Sequence, residues 1–231
     1  IDYKNTLHCF KINNGSECWN LQTEDSFTLS GIKYSLIISN DMVVFSNSIG
    51  DITAVDEQTG LILWQLPTQS SNIVNETYNF KNSKLVSDDN SIYFSNNKNE
   101  FYSIDAKTGT TNWTNEINST ITPIIINNLI FTVSEEGYLY VIEKNEGNII
   151  RISNLFTNYK EKIRKNLKPI GFAIGNLNLY LTNSNGDIIV SDLNSGSILN
   201  KKKIGNNLIS RPFIYNNSLF VVRNGSIVKY N

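Results

Sequence analysis

The chain has 231 residues, 40% of them hydrophobic and 18% charged, a balance that excludes a disordered polymer and allows one large or two small domains. With 20 Lys and Arg against 21 Asp and Glu the formal charge is -1, so no broad basic field exists to attract nucleic acid or an anionic bilayer. No apolar run reaches the about 20 residues that span a bilayer, and the longest are strand-length.

The chain opens at Ile1 in mid-pattern, without a basic-then-apolar leader, so truncation at the N-terminus is expected. The first element, LHCFKINNGSECW, reads as two strands joined at Gly15 and ending on Trp19. Cys9 and Cys18 flank this turn; they are either small buried hydrophobes or face each other across the hairpin, and their spacing does not suit a zinc site. His8, the single histidine, leaves neither a histidine metal cluster nor a supported Ser-His-Asp triad, and is expected on a partly exposed strand.

The same hairpin recurs as ITAVDEQTGLILW, FYSIDAKTGTTNW, LYVIEKNEGNIIR and IIVSDLNSGSILN. Its glycines, Gly15, Gly60, Gly109, Gly147 and Gly196, are separated by 45, 49, 38 and 49 residues, which brackets the period of four short strands. Four residues after each glycine stand Trp19, Trp64, Trp113, Arg151 and Asn200, so every tryptophan of the chain occupies one repeat position. A fixed place in a repeat predicts indoles that pack one sheet on the next, not a ligand-stacking platform. Four residues before the glycine stand Asp56, Asp105, Glu143 and Asp192, with Lys11 as the exception; a short carboxylate there accepts bonds from the turn amides. These carboxylates are a whole repeat apart, too far to act as an acid/base pair.

Upstream of each hairpin, runs such as MVVFS, SIYFS, LIFTV, LYLTN and LFVVR read as strands, and Gly50, Asn99, Gly137, Gly186 and Gly225 mark the turn that follows, with Asn5 in register. A further strand precedes these, begun in three cases at Pro123, Pro169 and Pro212. The expected architecture is therefore all-β: a β-propeller of four-stranded antiparallel blades, a partial ring in one domain spanning 1–231. Its expected parts are a half blade at 1–22, blades at 34–66, 84–115, 121–152 and 168–202, and a three-stranded last blade at 210–231. One connection, NLFTNYKEKIRKNLKP, is long and more basic than the rest and allows a short helical turn before Pro169; it is either a solvated loop or an electrostatic contact. The abundant Asn reads as compositional bias.

The units AVDEQTGLILW and SIDAKTGTTNW resemble the PQQ-like propeller superfamily, and the order of blades and the ending RPFIYNNSLFVVRNGSIVKYN are similar to its BamB-like branch, the lipoproteins of the outer-membrane β-barrel assembly machinery. That resemblance implies about eight blades in the full ring and a periplasmic, outer-membrane-associated scaffold without catalysis or cofactor. It implies docking on a BamA-type subunit, contact with unfolded barrel precursors, and membrane association only through a lipid anchor upstream of this chain. It places the docking surface on connections into inner strands, here TEDSFTLSGIKYS and PTQSSNIVNETYNFKNSK, with Phe27, Leu29, Glu76 and Tyr78 as contact residues; Ser30 stands where the branch has a basic residue. Two alternatives share the fold. A PQQ-dependent quinoprotein dehydrogenase requires an adjacent Cys pair, which Cys9 and Cys18 are not, and a ligand-sensing ectodomain requires a membrane or signalling segment upstream.

Overall fold

The computed structural model describes residues 1–23, 34–68, 81–88, 90–206 and 209–230. The chain divides into two compact units, Ile1–Thr120 and Ile121–Asn231. In the first, β1 (Thr6–Phe10) and β2 (Glu17–Gln22) form a two-stranded sheet. Two four-stranded sheets follow, β3 (Leu36–Ser39), β4 (Met42–Ser46), β5 (Ile52–Asp56) and β6 (Ile62–Leu66), then β7 (Val86–Ser87), β8 (Ser91–Ser95), β9 (Phe101–Asp105) and β10 (Thr111–Asn115).

The second unit repeats the plan. Its first sheet contains β11 (Ile124–Ile126), β12 (Leu129–Val133), β13 (Tyr138–Glu143) and β14 (Ile149–Asn154). A short helix, α1 (Glu161–Arg164), leads to β15 (Pro169–Gly175), β16 (Asn178–Asn183), β17 (Asp187–Asp192) and β18 (Ile198–Lys203). The last sheet has three strands, β19 (Phe213–Tyr215), β20 (Ser218–Arg223) and β21 (Ser226–Tyr230). Every sheet is an antiparallel meander in sequence order, the architecture of β-propeller blades.

Burial follows strand position. In β4 and β5 nearly every residue is buried, because each middle strand is covered on both faces; the fourth strand, β6, exposes Ile62 and Leu63 and turns Trp64 inward. Within the first unit, Met42, Val44, Ile52 and Trp64 share one core with Leu85, Ile92, Phe94 and Ile104 of the following sheet. Within the second, Phe131, Leu139 and Val141 join Phe172, Leu179 and Leu181. Each such side chain contributes about 1.5–3 kcal/mol on burial, so each sheet is stabilised chiefly by its neighbour.

The hairpin from third to fourth strand carries a β-bulge in five sheets: register shifts occur at Cys9/Phe10, Ala54/Val55, Thr111/Trp113, Val141/Ile142 and Val190/Ser191. Two residues of the fourth strand there oppose one of the third, which strengthens the local twist. The turns between first and second strands use Asn. Asn40–Asp41, Asn176–Leu177 and Asn216–Asn217 all have positive φ at both positions, the two-residue geometry that matches strand twist. Asn5 and Asn99 adopt the left-handed conformation where the other repeats place glycine. Eight of the ten non-glycine residues with positive φ among the described residues are Asn, so its abundance has a local structural use beyond compositional bias.

Repeat sites and candidate interaction surfaces

The repeat hairpin is built from its carboxylate outward. Asp105 Oδ1 accepts bonds from the amides of Lys107 (3.0 Å) and Thr108 (2.7 Å) and from the Thr108 hydroxyl (2.8 Å). The Thr108 hydroxyl and amide hold its carboxyl below the usual range. Asp56 binds Gln58 and Thr59, and Asp192 binds Ser195, in the same way. Glu143, one methylene longer, uses both oxygens, on the amides of Asn145 (2.9 Å) and Glu146 (2.7 Å). Where Lys11 replaces the carboxylate, the Asn14 side chain accepts from the Ser16 amide instead.

Two of the indoles lie against the next sheet of their own unit. Trp19 Nε1 donates to the Glu57 carbonyl (3.1 Å), and Trp64 Nε1 donates to the Ala106 carbonyl (3.2 Å). A Cβ at Gly60 would stand 2.6 Å from the Trp19 ring, and one at Gly109 2.5 Å from the Trp64 ring. Only glycine fits beneath an indole at that distance, and both glycines also carry φ of +72°. Arg151 substitutes for the indole in the second unit, its guanidinium donating to the carbonyls of Leu193 (2.6 Å) and Asn194. Trp113 stacks on Phe101 of its own sheet, with ring centroids 5.9 Å apart. These side chains are engaged in packing and turn closure.

Phe27, Leu29, Glu76 and Tyr78 lie outside the described residues. The basic connection does contain a helix, α1, and every residue of it is exposed. Its flanks are anchored by Leu155, Phe156, Tyr159 and Leu167, all buried in the core of the second unit. Sequence reasoning missed the polar part of that anchor. The Tyr159 hydroxyl donates to Asp187 Oδ2 (2.7 Å) and accepts from Asn183 Nδ2 (2.8 Å), while the Lys201 ammonium sits 4.2 Å from the ring centroid. Burial, and then the Asp187 carboxylate, push the phenol well above its ordinary range. Lys165 pairs with Glu161 (3.0 Å) and Lys168 with Glu135 (3.6 Å) along a cleft of about 290 Å³. Lys160, Lys162 and Arg164 of the connection are also exposed.

On the N-terminal hairpin, His8 bridges Glu17 (Nδ1 to Oε1, 3.0 Å) and Asp2 (Nε2 to Oδ2, 3.3 Å). Both cysteines are free thiols; Cys9 is half-buried and Cys18 is exposed, so the reading as two buried hydrophobes fails at Cys18. The bulge explains the difference, because it turns the extra residue of β2 outward. Among the described residues no group of three or more His, Cys, Asp or Glu is close enough to hold a metal ion, and no helix is long and apolar enough to cross a membrane.

A search of curated proteins finds no match to this chain. Among solved structures, BamB from Moraxella catarrhalis superposes with a TM-score of 0.61 at 15% identity, covering 98% of this chain and 78% of that one. The computationally designed Ika8 protein gives 0.61 at 14% identity over 99% and 78%, and the β-propeller domain of Cps50 (Swd1) from Myceliophteria thermophila gives 0.60 at 11% over 81% and 60%. These likenesses establish the β-propeller fold. The family model described as outer membrane protein assembly factor BamB matches residues 1–153, well over half of the sequence, and the chain accordingly belongs to the BamB family of PQQ-like β-propellers.

Proposed function

We propose that this chain is a non-catalytic scaffold of the outer-membrane β-barrel assembly machinery, periplasmic and held at the outer membrane by an anchor outside the sequence given. It docks on a BamA-type subunit and helps present unfolded barrel precursors. The observation that supports this most directly is the family match over residues 1–153, which includes both connections that bear the expected contact residues. The repeat chemistry agrees with it. Asp56, Asp105 and Asp192 are engaged by turn amides and hydroxyls, and Trp19 and Trp64 rest on neighbouring glycines, so these repeat positions serve architecture and leave recognition to the connections. We further take the repeats of both units as parts of one partial propeller domain.

The test is co-purification with the BamA-type subunit of the same organism, with single substitutions Phe27→Asp, Leu29→Asp, Glu76→Lys and Tyr78→Asp. Charge reversal or insertion at a docking residue is expected to weaken capture tenfold or more, corresponding to about 1.4 kcal/mol per tenfold. Unchanged capture by all four variants would remove these residues from the interface. No capture by the unmodified chain would remove the docking partner itself.

A further inference from the structure

In a regular antiparallel pair, successive side chains of a strand point to opposite faces, so a residue adjacent to a cross-strand partner cannot meet the residue opposite. The bulge in β1–β2 changes this. Cys9 pairs with Trp19 and Phe10 with Glu17, which leaves Cys18 as the extra residue, opposing Cys9 together with Trp19. The equivalent bulge in β9–β10 shows where such a residue points. There Ser103 pairs with Trp113, Asn112 is the extra residue, and Asn112 Nδ2 donates to Ser103 Oγ at 3.2 Å. Ser103 and Asn112 occupy the positions of Cys9 and Cys18 in the repeat, nine residues apart in both cases. The neighbouring Cys18 thiol, and then burial, raise the Cys9 pKa above its ordinary value, in keeping with that placement.

We infer that Cys9 and Cys18 form a reversible cross-bulge disulfide that clips the β1–β2 hairpin in an oxidising compartment. The other bulges carry Ala54 with Leu63, Val141 with Ile150 and Val190 with Leu199, pairs without redox chemistry, so the site is particular to this hairpin. It is also the sheet that gains most from a clip. A two-stranded sheet is marginally stable in water, and this one must hold Trp19 on Gly60.

The step is a thiol–disulfide exchange with a small or protein disulfide. The exposed Cys18, as thiolate, attacks one sulfur of the donor, forming a mixed disulfide and releasing the first donor thiolate. The Cys9 thiolate then attacks Cys18 Sγ, closing the intramolecular bond and releasing the second donor thiolate. The two protons from Cys9 and Cys18 end on the two donor thiols; the donor is reduced by two electrons and the hairpin is oxidised by two. This inference does not depend on any docking partner.

The 231-residue chain is equilibrated with glutathione at ratios from fully reduced to mostly oxidised, quenched with a maleimide and mapped by mass spectrometry. Both thiols are expected to lose alkylation together, yielding one cross-linked pair of peptides containing Cys9 and Cys18 and lighter by two hydrogens. Cys9→Ser is expected to leave Cys18 as a glutathione mixed disulfide. Hydrogen exchange of the β1–β2 amides is expected to slow on oxidation by up to about 100-fold, the loop-closure value for a clip of this length. Cysteines that stay alkylatable in oxidised buffer, a persistent mixed disulfide at Cys18 in the unmodified chain, interchain dimers alone, or amide exchange unaffected by oxidation would each overturn the inference.

Discussion

Removing the indole of Trp64 and crowding the glycine beneath it perturb one contact from both sides. Trp64 is 9% exposed, and its Nε1 satisfies the Ala106 carbonyl. Trp64→Ala is therefore expected to cost about 4 kcal/mol, cavity and stranded acceptor together. Gly109→Ala places a Cβ 2.5 Å from the same ring at a φ of +72°. Its cost is about 1 kcal/mol for the left-handed backbone and about 2 kcal/mol for displacing the indole. In the Trp64→Ala background the Cβ enters vacated space and only the backbone cost remains. The double variant is thus expected to lose about 5 kcal/mol where independent effects would lose about 7, a coupling of about 2 kcal/mol. Urea unfolding followed by far-ultraviolet circular dichroism on the four proteins measures it without relying on the deleted fluorophore. Additivity to within about 0.5 kcal/mol would refute the stacked pair as the link between these two sheets.

Two further outcomes follow from polar contacts. Glu17, and then Asp2, raise the His8 pKa above 6.5, so the bridge stabilises the N-terminal hairpin fully below that pH, while both carboxylates remain ionised, and the stabilisation is lost as pH rises through the raised value. Hydrogen exchange in β1–β2 corrected for intrinsic rates should accelerate across that window in the unmodified protein and not in His8→Gln; identical profiles would discount the bridge. Tyr159→Phe removes the donor to Asp187 and the acceptor for Asn183, and is expected to cost about 2 kcal/mol and to open the 154–168 connection to limited proteolysis. A loss below about 0.5 kcal/mol with unchanged cleavage would mean that the hydrogen bonds do not anchor that segment.

The all-β fold was legible because its determinants are local and repeated. A carboxylate, a glycine four residues later and a Trp or Arg four beyond that recur because each turn needs an acceptor for its amides and each planar group needs a flat neighbour. What stayed hidden depends on distant pairings or on geometry between strands. Tyr159 and Asp187 are 28 residues apart, and the connection that carries Tyr159 has no counterpart elsewhere in the repeat, so no pattern announced their bond. The bulge was equally silent: alternation counts residues along one strand, whereas a bulge is a mismatch between two. That is why the side chain of Cys18 was not placed by sequence alone. The role of Asn was passed over for a different reason, since its use at positive φ shows only once the turns are seen.

The contacts of Trp19 with Gly60, Trp64 with Gly109 and Arg151 with the Leu193 turn all run in one direction along the chain, each of these three sheets offering a protrusion from its last strand to a seat on its successor. Such a joint is heterologous: the two mating surfaces differ, and neither can mate with itself. The β3–β6 sheet carries both parts, a socket at Gly60 and a plug in Trp64. Adding or removing that segment whole keeps plug and socket together, whereas a cut within it would separate the two.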